Sequence, residues 1–118
     1  MKIILDTNFF MAIAQFKIDV FEQLRGHELC LINTVEDELH KLSKGNSKDA
    51  NAALLALHII ATKDLKMLKT NEKNADKSLI KYSIEGYIIA TQDIRLRERI
   101  KKAGGKAIYI RQKKYVII

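Results

Sequence analysis

The sequence predicts an α/β fold, a three-layer α/β/α sandwich around a mainly parallel sheet. Three observations predict it. The run Ile3-Ile-Leu5 is apolar without alternation, as suits a short strand buried on both faces of a parallel sheet. Tyr87-Ile-Ile-Ala-Thr91 repeats that pattern. Strand and helix patterns alternate along the whole chain, the order of a parallel sheet with helical crossovers. Both apolar runs lead to an acid, Asp6 in one case and Asp93 in the other. In open α/β sheets ligands bind outside the carboxyl ends of the strands.

The elements follow in order. After Lys2–Leu5, Phe9–Phe16 reads as a helix that Asp6 or Thr7 can cap. A short helix over Asp19–Arg25 ends near Gly26, and Glu28–Asn33 is a second strand. Asn33 or Thr34 is expected to cap a helix running to about Lys44. At about 100° per residue, Val35, Leu39 and Leu42 form its core stripe and Glu38 falls on the border of that stripe. Ser47 or Asp49 opens the next helix, to about Ala61. Its expected core face is Ala50, Ala53, Leu54, Leu57, Ile60 and Ala61, with His58 packed and hydrogen-bonded beside it.

Leu65–Lys69 alternates enough for a strand near the sheet edge. A helix from Asn74–Asp76 to Glu85 places Asp76, Leu79, Ile80 and Ser83 on one face, with Asp76 in the first turn. Ile94–Ala103 is a basic helix closed by Gly104-Gly105. Lys106–Ile110 is a strand, Arg111–Lys114 a basic turn, and Tyr115–Ile118 a last strand or tail. Residues 1–118 read as one domain without repeat or linker.

Composition narrows the function. The charge is +7, from 21 Lys and Arg against 14 Asp and Glu, which favours polyanionic partners. No apolar run approaches the ~20 residues of a membrane span, and the N-terminus does not read as a signal peptide. Cys30 is alone, so an intrachain disulfide is excluded and no zinc cluster is implied. It is expected to be a small buried residue in a reducing, cytoplasmic protein.

Four acids occupy matched positions: Asp6 and Asp93 at strand ends, Glu38 and Asp76 on helix faces turned toward the core. Each has an ordinary role open to it. Asp6 and Asp93 could be helix caps, Glu38 could pair with Lys41 or Lys44, and Asp76 could answer a helix dipole. If the four converge at one sheet edge, they cannot all stay ionised without a cation. Such hard oxygen ligands suit Mg²⁺ or Mn²⁺.

The chain resembles the PIN-domain ribonucleases over essentially its whole length. The matching stretches are Ile4-Leu-Asp-Thr-Asn8, Val35-Glu-Asp-Glu-Leu39, Ala75-Asp76 and Ile89-Ala-Thr-Gln-Asp93. The resemblance implies that Asp6, Glu38, Asp76 and Asp93 form an acidic metal site, which Asn8 and Thr91 support by hydrogen bonds. Asp64 is the alternative to Asp76. The implied activity is metal-dependent endonucleolytic hydrolysis of RNA, single-stranded by preference. The segments Thr91–Arg99 and Ala107–Tyr115 look like the branch that includes ribosomal-RNA processing endonucleases. The toxin branch of toxin–antitoxin systems shares the core motifs, and a catalytically silent RNA-binding or assembly module would keep the same fold. The partners these readings imply are RNA, an antitoxin or a ribosome-assembly factor, and a second copy of the chain through its apolar first helices.

With the four acids set aside, ten acids face 21 bases, an acidic pit in a basic surround. Lys41, Lys44, Lys77, Arg95 and Arg97 are the candidate phosphate contacts at the expected edge. Other α/β classes fit less well. A haloacid-dehalogenase-type phosphatase wants an acid where Asn8 stands. A response-regulator receiver wants an Asp closing the third strand, where Lys69-Thr70 stands. A nucleotide-binding fold wants a Gly-rich turn after the first strand.

Overall fold

The structure is a computed structural model and describes residues 1–118. Its elements are β1 (Lys2–Leu5), α1 (Thr7–Phe16), α2 (Val20–Gln23), β2 (Glu28–Ile32), α3 (Asn33–Leu42), α4 (Lys48–Thr62), β3 (Lys66–Leu68), α5 (Ala75–Ile84), β4 (Ile88–Ala90), α6 (Ile94–Lys102), β5 (Lys106–Arg111) and β6 (Tyr115–Ile117). They form one six-stranded sheet in the order β3-β2-β1-β4-β5-β6. The first five strands are parallel, and β6 runs antiparallel to β5 at the edge. Helices α1, α3 and α4 pack against one another, and so do α5 and α6. Right-handed crossovers put the two groups on opposite faces of the sheet, which makes the expected three layers.

The strand order reverses between β1 and β4. From β1 the chain works outward through β2 to β3, then returns to add β4 on the other side. Neighbouring loops part at such a reversal and leave a crevice. The two apolar runs singled out in the sequence are the strands that flank it. Ile3, Ile4, Leu5, Ile88, Ile89 and Ala90 are all buried, within a core cluster of 26 residues. Cys30 is a free, buried thiol in that cluster, as expected, and burial pushes its pKa up.

Several local expectations are corrected. Neither Asn33 nor Thr34 caps α3; Ile32 holds the cap position and makes no side-chain cap bond. The Asn33 side chain is turned to the end of β3 instead. Its Oδ1 accepts from the Thr70 N–H at 2.9 Å, and its Nδ2 donates to the Thr70 carbonyl at 3.2 Å. Helix α4 buries Ala50, Ala52, Ala53 and Ala56, while Leu54 is 49% exposed and Ala61 also lies outside. The alanine stripe lets α4 lie close to α1 and α3, and the larger side chains are left at the flanks. His58 is exposed, not packed. Leu42 belongs to the surface rather than the core of α3.

Candidate active site

Asp6 and Thr91 are the first residues past the last paired positions of β1 and β4, Leu5 and Ala90. The ladder carries on into them, because the Asp6 N–H donates to the Ala90 carbonyl at 2.9 Å. That register sets the two side chains beside each other. Thr91 Oγ1 donates to Asp6 Oδ2 at 2.8 Å, and the Thr7 N–H donates to Asp6 Oδ1 at 2.8 Å. Asn8 ties the two loops together, since its Oδ1 accepts from the Gln92 N–H at 2.8 Å and lies 3.1 Å from Thr91 Oγ1. Thr91 Oγ1 in turn accepts from the Asp93 N–H at 3.2 Å.

Asp6 is 5% exposed. Burial raises its pKa from 3.8 to about 6. The hydrogen bonds from Thr91 and Thr7 oppose that rise, whereas the nearby charges of Asp76 and Glu38 add to it. Asp6 also occupies the N-cap position of α1. A cap alone would sit more cheaply at the surface.

Asp6, Asn8, Glu38, Asp76 and Asp93 line a single cleft of about 500 Å³, in which no lysine or arginine takes part. The four acids expected to converge therefore share one opening, as do the ends of the two central strands. They keep different partners within it. Asp93 caps α6 through Oδ1, which accepts from the Leu96 N–H at 3.2 Å. Asp76, in the first turn of α5, has Arg99 Nη1 at 3.9 Å, and both side chains are about half exposed. Glu38 is exposed on α3. As these side chains stand, no three acids, histidines or cysteines are gathered closely enough to hold a metal ion.

The donor set nonetheless fits a hard divalent cation. It consists of carboxylate oxygens, one of them a buried Asp6 that its acidic neighbours oppose. The Thr7 hydroxyl is also buried there without a hydrogen-bond partner. Asp64 lies in the turn between α4 and β3, at the amino end of a strand. It does not line the cleft, and Asp76 does.

Two cleft residues were missed in the sequence. The sequence marks Asp49 only as a helix opener, yet it lines the cleft and accepts from Gln15 Nε2 at 3.4 Å. Gln92 lines the cleft and holds β5 through both polar groups of Ile110. Only the packing of α4 on α1, and of the β4–α6 loop on β5, brings them there. The candidate phosphate contacts lie outside the cleft. Lys41 lines an adjoining groove that shares Glu38, and Lys44 and Lys77 are exposed. Arg95 lies on the outer surface of α6. Arg97 is committed elsewhere: its guanidinium lies 3.9 Å from the Tyr109 ring centroid, in a separate hollow between α6 and β5.

A parallel sheet with an acidic cleft at its strand-order reversal defines a class of α/β domain. This chain belongs to the PIN-like domain family, whose profile, described as a PIN like domain, matches residues 3–113. It is 29% identical over 124 residues to Ribonuclease VapC4 of Methanocaldococcus jannaschii, across 97% of this chain and 93% of that protein. The solved PIN domain endonuclease Utp24 superposes with a TM-score of 0.80 at 29% identity, over 98% of this chain and 88% of that one. A domain of a functionally unknown protein from Methanocaldococcus jannaschii has the same fold, with a TM-score of 0.70 at 16% identity, over 93% and 91% of the two chains.

Proposed function

We propose that this protein is an endoribonuclease that hydrolyses phosphodiester bonds of single-stranded RNA with the help of Mg²⁺ or Mn²⁺. The observation that carries the proposal is the buried Asp6 carboxylate in a cleft that Glu38, Asp76 and Asp93 also line and that no lysine or arginine lines. The ribonuclease and endonuclease relatives support the same reaction class. We read residues 1–118 as one catalytic domain working in the cytoplasm; no helix is long and apolar enough to cross a membrane.

Asp6 and Asp93 would hold the cation, and Glu38 and Asp76 would complete its ligands or orient the attacking water. When bound, such an ion activates water and offsets charge on the phosphoryl group, which leads to a 5′-phosphate and a 3′-hydroxyl. The chain's own task is to keep a ligand ionised in a buried place. Thr91 and the Thr7 N–H do this by donating to the two oxygens of Asp6. Asn8 keeps Thr91 and the Gln92 backbone in register with it.

A role in ribosomal-RNA processing and a toxin role held in check by an antitoxin both use this chemistry. A small adjacent antitoxin-like reading frame would favour the second. A silent RNA-binding module is the competing reading, favoured by Asp76 standing near Arg99 and by acids that are not yet gathered. The test is incubation with labelled single-stranded RNA and Mg²⁺ or Mn²⁺, beside Asp6→Asn and Asp93→Asn. Cleavage by the wild type that disappears with EDTA and in both variants supports the enzyme. Binding without cleavage supports the silent module.

A further inference from the structure

The positive charge of this chain is segregated. Residues 94–118 hold nine of the 21 Lys and Arg and one of the 14 Asp and Glu, a net +8. The preceding 93 residues hold the remaining twelve bases and thirteen acids and are net −1. The basic surround expected of an acidic pit is therefore one side of the molecule, α6 with the β5–β6 hairpin. None of Arg111, Lys113 and Lys114, at the tip of that hairpin, is in an ion pair, and all three are exposed.

The tip is fastened at the cleft. The Lys113 ammonium lies 5.1 Å from the ring centroid of Phe16, a residue of the cleft wall. Gln92, also in that wall, accepts from the Ile110 N–H at 2.6 Å and donates to the Ile110 carbonyl at 3.1 Å. On the far strand Gln23 donates to the Lys114 carbonyl and accepts from the Val116 N–H, both at 2.8 Å. The turn itself is strained. Gln112 and Lys113, in the three-residue loop between Arg111 and Tyr115, have φ of 55° and 57°, consecutive left-handed positions that glycine or asparagine adopts with least strain. A lysine kept where glycine would be easier points to work for its side chain.

We propose that the hairpin tip Arg111–Lys114 is a phosphate clamp at the mouth of the acidic cleft, holding the RNA backbone beside the bond to be cut. This rests on the ribonuclease reading and deepens it. The acids repel a polyanion, so the strand needs a fixed cationic hold within reach of the cleft but outside it. The clamp recognises phosphate and not base, so it confers affinity on single strands of any sequence.

The test is fluorescence-anisotropy titration of a labelled oligouridylate against the full chain carrying Asp6→Asn, which prevents cleavage. Lys113→Glu with Lys114→Glu should weaken binding about tenfold or more and lower the slope of log K against log salt by about 1.4. Lys66→Glu with Lys69→Glu, the same charge change at the opposite sheet edge, should stay within about twofold. Lys113→Gly separates binding from folding: it removes the cation and relieves the positive φ, so affinity should fall while the melting temperature holds or rises. Equal losses at both edges, or unchanged affinity in the hairpin variants, would overturn the clamp. If RNA binds through the hairpin but is never cut by the wild type, the clamp stands and the hydrolase reading falls. If RNA is cut with hairpin variants unchanged in Kd and KM, the reverse holds.

Discussion

The hydroxyl of Thr91 donates to the carboxylate of Asp6 at 2.8 Å, joining residues 85 positions apart at the ends of two adjacent parallel strands. Both groups are buried, so neither exchanges this bond for water without cost. The pair connects stability with function, because the bond that holds β1 to β4 also keeps the proposed ligand charged.

Thr91→Val should cost about 1.5–3 kcal/mol of stability at neutral pH, the range for a hydrogen bond to a charged group. Thr91→Ser should recover most of it, having the same hydroxyl. Chemical denaturation in EDTA measures both. A larger loss in Thr91→Ser than in Thr91→Val would mean that the threonine methyl, not its hydroxyl, matters.

The raised pKa of Asp6 makes a pH prediction with a definite sign. The unfolded chain releases this proton near pH 4, whereas the folded chain keeps it to about pH 6. Between those values the native state binds more protons, so its stability falls as pH rises, by up to about 3 kcal/mol from this group. Asp6→Asn removes that slope. The stability difference between variant and wild type should grow in favour of the variant from pH 4 to pH 6 and then level off, in metal-free urea titrations at several pH values.

Divalent cations should reverse that penalty. Mg²⁺ or Mn²⁺ at about 100 times Kd would stabilise the wild type by about 2.7 kcal/mol, and Asp6→Asn should lose the effect. Asp93→Asn is the sharper variant, because asparagine caps a helix as well as aspartate does. It should melt near the wild type without metal, yet lose both the metal-induced shift and RNA cleavage. A large fall in its metal-free melting temperature would mark Asp93 as structural.

Asn33→Ala should destabilise the fold by about 1–2 kcal/mol, because both backbone groups of Thr70 lose their partner. Asn33→Asp keeps the acceptor and loses the donor, so it should fall between the two. Thermal melts of the three chains order them. An Ala variant as stable as the wild type would make the clip incidental.

Arg97→Ala should leave RNA affinity within about twofold while costing about 0.5–1 kcal/mol of stability, through loss of its stack on Tyr109. Anisotropy and melting on one sample separate these outcomes. A large loss of affinity would restore Arg97 as a phosphate contact.

The layered fold was legible because its signals are local. An apolar run without alternation, as in Ile3–Leu5 or Ile88–Ala90, suits a strand buried on both faces, and its shortness sets it apart from a buried helix. The alternation of elements then leaves few topologies open. The end of β1 at Asp6 could be marked for the same reason, and the end of β4 to within three residues of Asp93, which caps α6. Helix faces were less legible: α4 is apolar nearly all round, so periodicity could not tell the alanines that approach α1 from the leucines left outside.

Chain order says which residues reach the carboxyl edge of the sheet, because strand direction and crossover hand fix it. It cannot say which charges stand opposite one another there. Asp49 reaches the cleft only through the packing of α4 on α1, Arg97 leaves it by stacking on Tyr109, and Lys113 arrives from an edge strand added last. Electrostatic partners are set by distances of a few ångströms between segments remote in sequence, and those distances exist only once the layers have closed on each other.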